Sequence, residues 1–269
     1  MMKKFWLFFL WLWCVAVQAQ ERPKVALVLG GGGAKGAATV GVLKYVEESG
    51  VPIDMVVGTS IGSIVGGLYA LGYRSEQLDS LFRTQEWMDM FAGSLMGDSI
   101  VRPLRQLTGD RGRIDFDQLP IPFRCVAVDV KRLSEVVLSE GDLAQAMRAS
   151  MAIPLVFKPV KMDGMMLVDG GVLNNLPVDV ARGMGADVVI AVDLTVNKHK
   201  GETPSIFRPD QRKYQQNCRD ADIYISPKLK GYGPQDFSPR KIAEMIVLGE
   251  KAGKAARKDL RKLKKRLTE

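Results

Sequence analysis

Short apolar runs alternate with helical patterns along most of the chain. The apolar runs are almost uninterrupted, which predicts strands covered on both faces, as in a largely parallel sheet. The predicted strands are Lys24–Leu29, Met55–Val57, Phe123–Val130, Glu135–Leu138, Met165–Val168 and Val188–Asp193. Apolar residues spaced three to four apart predict helices over Ala37–Ser49, residues 61–71 and Asp142–Ser150. This alternation predicts an α/β fold, a three-layer sandwich around a central, mainly parallel sheet.

Two stretches depart from this alternation. Residues 87–112 mix methionine and aromatic side chains with glycines, and residues 196–220 are polar and basic. Both are expected to be long excursions, which often act as lids in α/β enzymes. For the apolar part of the first stretch, ordinary helix packing is the alternative.

The N-terminal segment has the pattern of a targeting signal. Lys3 and Lys4 precede an uncharged apolar run from Phe5 to Val17, and Val17-Gln18-Ala19 supplies a small-x-small exit. This is typical of a secretory signal peptide over residues 1–19. The run is shorter than the roughly 20 residues that a membrane-spanning helix needs. We therefore expect an exported protein, in the periplasm, the cell envelope or the medium; an uncleaved N-terminal anchor is the alternative.

Composition and charge narrow the classes of site. The 269 residues include 38 Lys and Arg, 30 Asp and Glu, and one histidine, His199. A single histidine excludes metal sites built from several. Apolar residues at helical spacing within a lysine- and arginine-rich stretch predict a basic amphipathic helix over residues 241–269, after a domain spanning residues 20–240. The helix either docks on an anionic membrane or packs on the domain. No recognition motif accompanies the charge, so no nucleic-acid partner is expected.

The segment Gly58-Thr59-Ser60-Ile61-Gly62 fits the G-x-S-x-G pattern between a predicted strand and a predicted helix. In that context a sharp turn presents the serine, and the two glycines avoid clashes at the turn. The helix dipole then favours negative charge developing at the serine. Ser60 is therefore a candidate nucleophile. A tight turn with Ser60 as a helix cap is the alternative.

A second glycine-rich segment follows the first predicted strand and comprises Gly31, Gly32, Gly33, Ala34, Lys35 and Gly36. It fits G-x-G-x-x-G, which binds dinucleotide phosphates when an acidic residue follows a second strand. Here Asp54 precedes the second strand, which ends at the serine turn instead. Backbone N–H groups of such a loop can also stabilise an oxyanion, with Lys35 orienting the loop. We expect the oxyanion role; a turn without a ligand is the alternative.

The third motif is Asp169-Gly170-Gly171, directly after a predicted strand. The carboxyl ends of strands are where α/β sheets gather their chemistry, so Asp169 is the candidate base for Ser60. His199 is the only imidazole, but it lies between two lysines in a polar stretch typical of a solvated loop. A carboxylate is a weak base, so the site has to place it well or raise its pKa by burial. A turn-forming Asp-Gly is the alternative.

Taken in order, Gly31–Gly36, Gly58–Gly62 and Asp169–Gly171 resemble the motifs of the bacterial patatin-like phospholipase family. The segments Ala149–Pro154 and Gly185–Val192 extend the resemblance, which covers about residues 24–195. It implies a patatin-like fold and a lipid acyl hydrolase with a serine–aspartate dyad and an oxyanion hole in the glycine loop. It also implies a phospholipid or other acyl-ester lipid substrate, with no cofactor and no metal.

Other functions use the same groups. A thioesterase, a lysophospholipase or an acyltransferase would differ only in its acyl pocket and in the access of water. A non-catalytic lipid- or nucleotide-binding protein could keep the fold without the chemistry, and labelling of the serine by a fluorophosphonate distinguishes it from an enzyme.

Overall fold

The computed structural model describes residues 22–92, 100–109, 111–195 and 211–269. Its strands are β1 (Val25–Leu29), β2 (Met55–Thr59), β3 (Ile114–Asp115), β4 (Phe123–Asp129), β5 (Ser134–Leu138), β6 (Glu140–Gly141), β7 (Val160–Met162), β8 (Met165–Asp169), β9 (Val188–Val192) and β10 (Ile223–Ile225). Its helices are α1 (Gly36–Ser49), α2 (Ile61–Ala70), α3 (Ser75–Phe82), α4 (Gln85–Ala92), α5 (Val101–Thr108), α6 (Leu143–Ser150), α7 (Val178–Gly183), α8 (Gln211–Asp220) and α9 (Pro239–Arg266). No helix within these ranges is long and apolar enough to cross a bilayer.

Most of the strands form one eight-stranded sheet. Five neighbouring strands, in the order β10-β9-β1-β2-β4, run parallel to one another. Strands β5 and β8 pair with β4 in the antiparallel sense, and β7 pairs with β8 in the same sense. The prediction of a mainly parallel central sheet is confirmed.

Helices cover both faces of the sheet. In β1, Val25, Leu27 and Leu29 belong to one apolar core, whereas Ala26 and Val28 belong to the other. Helices α1, α2, α6 and α9 close the first core, and α7 and α8 close the second. Burial on both faces explains why the strand sequences are almost continuously apolar. The predicted three-layer sandwich is confirmed.

The two predicted excursions contain regular structure. Most of helix α4 and all of α5 lie within residues 87–112, and α8 ends the stretch 196–220. Trp87 is buried and stacks on Phe82 with ring centroids 4.0 Å apart, so the first stretch begins as helix packing. Residues 93–99, 110 and 196–210, with His199, lie outside the described ranges, as does the predicted signal peptide. The lid role therefore stays a prediction.

The C-terminal helix α9 packs directly on α1. Its apolar stripe belongs to the first core, and the two backbones touch where glycines face each other. A Cβ atom on Gly249 would lie 1.9 Å from the carbonyl oxygen of Ala38, and one on Gly41 would lie 2.1 Å from that of Ile246. The helix predicted from residue 241 thus begins at Pro239 and packs on the domain.

Helices α1 and α9 are parallel, which fixes where the basic end of α9 lies. Ala38, near the start of α1, lies against Gly249, whereas Gly50, just past the end of α1, lies beside Lys264, farther along α9. Helix α1 starts near the carboxyl end of β1 and runs back along the sheet. The basic end of α9 therefore lies at the opposite edge of the sheet from the carboxyl ends of the parallel strands.

We expect Gly249→Ala to lower the free energy of unfolding by about 1–3 kcal/mol, because the added methyl group forces the backbones of α1 and α9 apart. Gly183→Ala is the matched control, since Gly183 lies in α7 and a Cβ atom there has no heavy atom within 4 Å. That substitution should be neutral or stabilise by up to about 1 kcal/mol. Urea unfolding measures both, and equal effects would contradict the helix contact.

Candidate active site

Ser60 occupies a strained turn between β2 and α2. Its φ of 56° lies in the left-handed region, which residues other than glycine seldom adopt. A Cβ atom on Gly58 would lie 2.3 Å from the carbonyl oxygen of Gly62, and one on Gly62 would lie 2.1 Å from that of Leu29. The hydroxyl of Thr59 donates to the backbone carbonyl of Asn174 at 2.9 Å, which holds the start of the turn in place. The G-x-S-x-G segment thus forms a sharp turn from the end of β2 into α2.

The hydroxyl of Ser60 donates to a carboxylate oxygen. The distance from Ser60 Oγ to Asp169 Oδ2 is 2.6 Å, and the second oxygen, Oδ1, accepts the backbone N–H of Gly171 at 2.7 Å. Ser60 and Asp169 are only 5% and 6% exposed. A buried serine therefore contacts a carboxylate with no imidazole between them.

Strands β2 and β8 bring these residues together by meeting end to end along one edge of β4. Strand β5 occupies the other edge, so β2 and β8 share the remaining one. Strand β2 ends with Thr59 opposite Val126, and β8 arrives from the other direction and ends with Asp169 opposite Ala127. Ser60 follows Thr59 and therefore faces Asp169 across the gap between the two strand ends.

This arrangement corrects the sequence-based reason for placing Asp169 at the site. The carboxyl ends of parallel strands share one edge of a sheet, but β8 is antiparallel to β4. Its carboxyl end reaches Ser60 because β4 continues beyond the end of β2, leaving room for a second partner on the same edge.

Burial sets the protonation chemistry of Asp169. Removal from water raises the pKa of this carboxyl to about 6, while the hydrogen bonds from the Ser60 hydroxyl and the Gly171 N–H lower it in part. The carboxylate is therefore ionised at neutral pH and is a stronger base than an exposed aspartate.

The glycine loop lies against Ser60 and is tied down on two sides. A Cβ atom on Gly31 would lie 3.0 Å from Ser60 Cβ, so the loop backbone directly adjoins the serine. The N–H of Gly31 donates to the carbonyl of Asn175 at 3.1 Å, and that of Ala34 donates to the carbonyl of Pro234 at 2.8 Å. These two amides are therefore already used within the protein.

The remaining amides of the loop divide into two kinds. The N–H groups of Lys35 and Gly36 donate to carbonyls within the loop. Those of Gly32 and Gly33 have no acceptor among the described residues. If the loop Gly31–Gly36 forms the predicted oxyanion hole, the N–H groups of Gly32 and Gly33 are therefore its candidate donors. Lys35 Nζ donates to the carbonyl of Leu194 at 3.0 Å, which ties the loop to the segment after β9.

Glycines elsewhere in the three motifs allow close packing around this centre. A Cβ atom on Gly36 would lie 2.3 Å from Ile61 Cγ1, which brings the starts of α1 and α2 together. One on Gly170 would lie 2.2 Å from the carbonyl oxygen of Val126, which lets the chain turn directly after Asp169.

Asn175 joins the glycine loop to the segment after Asp169, a role that the sequence analysis missed. Besides accepting the N–H of Gly31, it donates its side-chain amide to the Gly31 carbonyl at 3.3 Å and to Thr195 Oγ1 at 3.2 Å. Its only local signal is a polar residue directly before the buried Leu176. That signal does not name the partners, which are distant in sequence.

Ser150 supports the serine turn from α6 and was also missed. Its hydroxyl accepts the N–H of Ser60 at 2.9 Å and donates to the carbonyl of Val126 at 2.6 Å. In the sequence, the only signal was a serine at the last position of the predicted helix over Asp142–Ser150.

The model of the family described as patatin-like phospholipase matches residues 27–182, more than half of the chain. The chain belongs to the patatin-like phospholipase family. The resemblance seen in the three motifs is thereby confirmed, and the match covers the glycine loop, the serine elbow and the Asp-Gly-Gly segment.

Relatives in this family come from bacteria and animals. An uncharacterized NTE family protein of Mycobacterium tuberculosis is 37% identical over 186 residues, covering 66% of this chain and 51% of the relative. Human patatin-like phospholipase domain-containing protein 6 is 38% identical over 190 residues, which cover 63% of this chain and 13% of that protein. The chain thus spans about half the length of the mycobacterial relative and far less of the human one.

A solved structure has the same fold. VipD from Legionella pneumophila superposes with a TM-score of 0.54 at 14% identity, covering 88% of this chain and 67% of VipD. At that identity the similarity concerns the patatin-like fold alone.

We expect Asp169→Asn to stabilise the protein at pH 8 but not at pH 4. The folded state raises the pKa of Asp169 to about 6, so ionisation costs stability as pH rises above the unfolded value near 4, and the full cost remains above 6. Asparagine removes this cost, up to about 3 kcal/mol. Urea unfolding at both pH values measures it, and the same change in stability at pH 4 and pH 8 would rule out a raised pKa.

Proposed function

We propose that this chain hydrolyses the acyl-ester bond of a lipid, with Ser60 as nucleophile and Asp169 as its base. The observation that carries the proposal is the 2.6 Å hydrogen bond from Ser60 Oγ to Asp169 Oδ2 inside a buried site. The strained turn presents the hydroxyl, and the raised pKa suits the carboxylate to accept its proton.

The first half of the reaction forms an acyl-enzyme. Asp169 takes the hydroxyl proton while Ser60 Oγ bonds to the ester carbonyl carbon, and the carbonyl electron pair moves onto oxygen. The N–H groups of Gly32 and Gly33 stabilise that oxyanion. The intermediate collapses, the bond to the alcohol oxygen breaks, and the departing alcohol takes the proton from Asp169.

The second half releases the fatty acid by the same steps with water. Asp169 takes a proton from a water molecule as its oxygen attacks the acyl carbon, and the new oxyanion uses the same two donors. Collapse breaks the bond to Ser60 Oγ, which recovers its proton from Asp169. The dyad then returns to its starting state, and no external reactant besides water is needed.

A phospholipid or another acyl-ester lipid is the proposed substrate class, supported by the family to which the chain belongs. A thioesterase, lysophospholipase or acyltransferase reaction would use the same dyad. Nucleotide binding is less well supported, because Gly31 and Ala34 already use their amides within the protein. Export after removal of residues 1–19 is part of the proposal and rests on the sequence pattern.

We expect Ser60→Ala to reduce hydrolysis of a short-chain p-nitrophenyl ester by about 10³-fold or more, because the nucleophile is removed. His199→Ala should keep its activity, since the dyad needs no imidazole. Steady-state kinetics on both variants, with melting temperatures as a check on folding, measure this.

Fluorophosphonate labelling gives a second readout of the same claim. The wild-type protein should be labelled at Ser60, and Ser60→Ala should not be labelled. Full hydrolysis by Ser60→Ala would disprove the nucleophile, whereas loss of activity in a folded His199→Ala would replace the dyad by a triad.

The pH profile of kcat/KM tests Asp169 as the base. Only the ionised form accepts a proton, so activity should fall about tenfold per pH unit below 6 and stay level just above it. An ordinary histidine titrates in the same range, so the profile is also measured in His199→Ala. An unchanged profile in that variant assigns the titration to a group other than histidine, whereas a flattened one contradicts the role of Asp169.

A further inference from the structure

An apolar surface lies beside the candidate active site and has no role in the mechanism above. Leu133 and Leu155 are 80% and 90% exposed, and both line the same open apolar pocket of about 610 Å³. Between them the pocket wall includes Val128, Val130 and Val168. We call this surface, made of the two leucines and the pocket between them, the leucine rim.

The leucine rim lies at the edge of the sheet that carries the dyad. Leu133 belongs to the turn that follows the carboxyl end of β4, and Asp169 pairs with Ala127 near that end. Val130, three residues beyond Ala127, is about 10 Å farther along the strand. Val168 of the pocket wall directly precedes Asp169 in β8. A surface bound to the rim would therefore lie at the same end of the sheet as Ser60.

Both leucines have backbone conformations that leucine seldom adopts. The φ angles are 51° for Leu133 and 69° for Leu155, in the left-handed region that glycine and asparagine enter most readily. The chain thus places a large apolar side chain into water at two turns where smaller polar residues fit the backbone better. Exposed apolar surface of this kind is typical of a contact with an apolar partner.

Basic side chains border the leucine rim. Lys131 and Arg132 are exposed immediately before Leu133, and Lys158 is exposed where it lines the pocket. Arg132 pairs with the buried carboxylate of Asp129 at 2.6 Å. An apolar rim bordered by cationic groups complements a lipid surface. The acyl region would accept the leucines, and anionic headgroups would bind the lysines.

We propose that the leucine rim docks this protein on an anionic phospholipid bilayer, so that the dyad faces the membrane. This docking direction rests on the proposed function, since a lipid hydrolase has to reach its substrate in a membrane. The basic end of α9 is the rival surface, but it lies at the opposite edge of the sheet and would hold Ser60 away from the lipid.

Vesicle flotation tests the proposal with Ser60→Ala as the background, so that no lipid is hydrolysed and binding is read without turnover. The double variant L133N/L155N, called the tip variant, removes both leucines of the rim and replaces them with asparagine, which adopts a positive φ more readily. The matched control R261Q/K262Q removes charge from the far end of α9. All proteins share one N-terminus, so a difference between the variants does not come from residues 1–19.

With vesicles of phosphatidylglycerol and phosphatidylcholine in equal parts, the tip variant should bind at least tenfold more weakly than the background protein, and the control should change less than twofold. Vesicles of phosphatidylcholine alone should bind the background protein more weakly. Melting temperatures check folding, and L133G/L155G replaces the asparagine pair if that pair does not fold.

Three outcomes would overturn the proposal: no binding to anionic vesicles, equal binding by the tip variant, or loss of binding in the control only. Sedimentation velocity tests whether a second copy of the chain binds the rim instead. A dimer that L133N/L155N dissociates would make the rim a contact between two copies. Vesicle binding through the rim without any ester hydrolysis by wild-type protein would instead reject the proposed function alone.

Discussion

The shared edge of β4 is the constraint on which the site depends. Two strands of opposite direction occupy successive parts of that edge, and the gap between their ends is closed by a side-chain hydrogen bond. A serine placed there has to turn sharply, because its strand can go no farther, and the turn leads directly into α2. A carboxyl group placed there is enclosed by the sheet and by α6, and this enclosure raises its pKa.

The proposed oxyanion donors, the N–H groups of Gly32 and Gly33, are the loop amides that the described part of the protein does not itself use. Segments distant in sequence, at Asn175, Leu194 and Pro234, each accept a hydrogen bond from the glycine loop. These contacts hold the loop against Ser60 and leave the amides of Gly32 and Gly33 without a described acceptor. A rigid loop with unused donors is what stabilisation of a developing charge requires, because little reorganisation is then needed during the reaction.

Local patterns in the sequence predicted the elements with strong periodicity and the serine elbow, since strand, turn and helix are adjacent in the chain. The direction of β8 was not predicted, because an apolar run does not reveal its pairing partner. A signal was present: Asp163-Gly164 joins β7 to β8, both residues have positive φ, and an Asp-Gly turn is typical of an antiparallel hairpin. The roles of Asn175 and Ser150 were not predicted, because their hydrogen-bond partners are 144 and 90 residues away in the sequence.

The hydrogen bond from Ala34 to the carbonyl of Pro234 has a consequence for the order of assembly. Pro234 lies late in the chain, shortly before α9, whereas Ala34 lies near the start of the domain. A nascent polypeptide that has not yet been synthesised past this point has both members of the dyad but lacks this support for the loop. The glycine loop therefore gains this anchor only after the segment around Pro234 docks, and a C-terminally truncated product would retain Ser60 and Asp169 beside a loop held by fewer contacts.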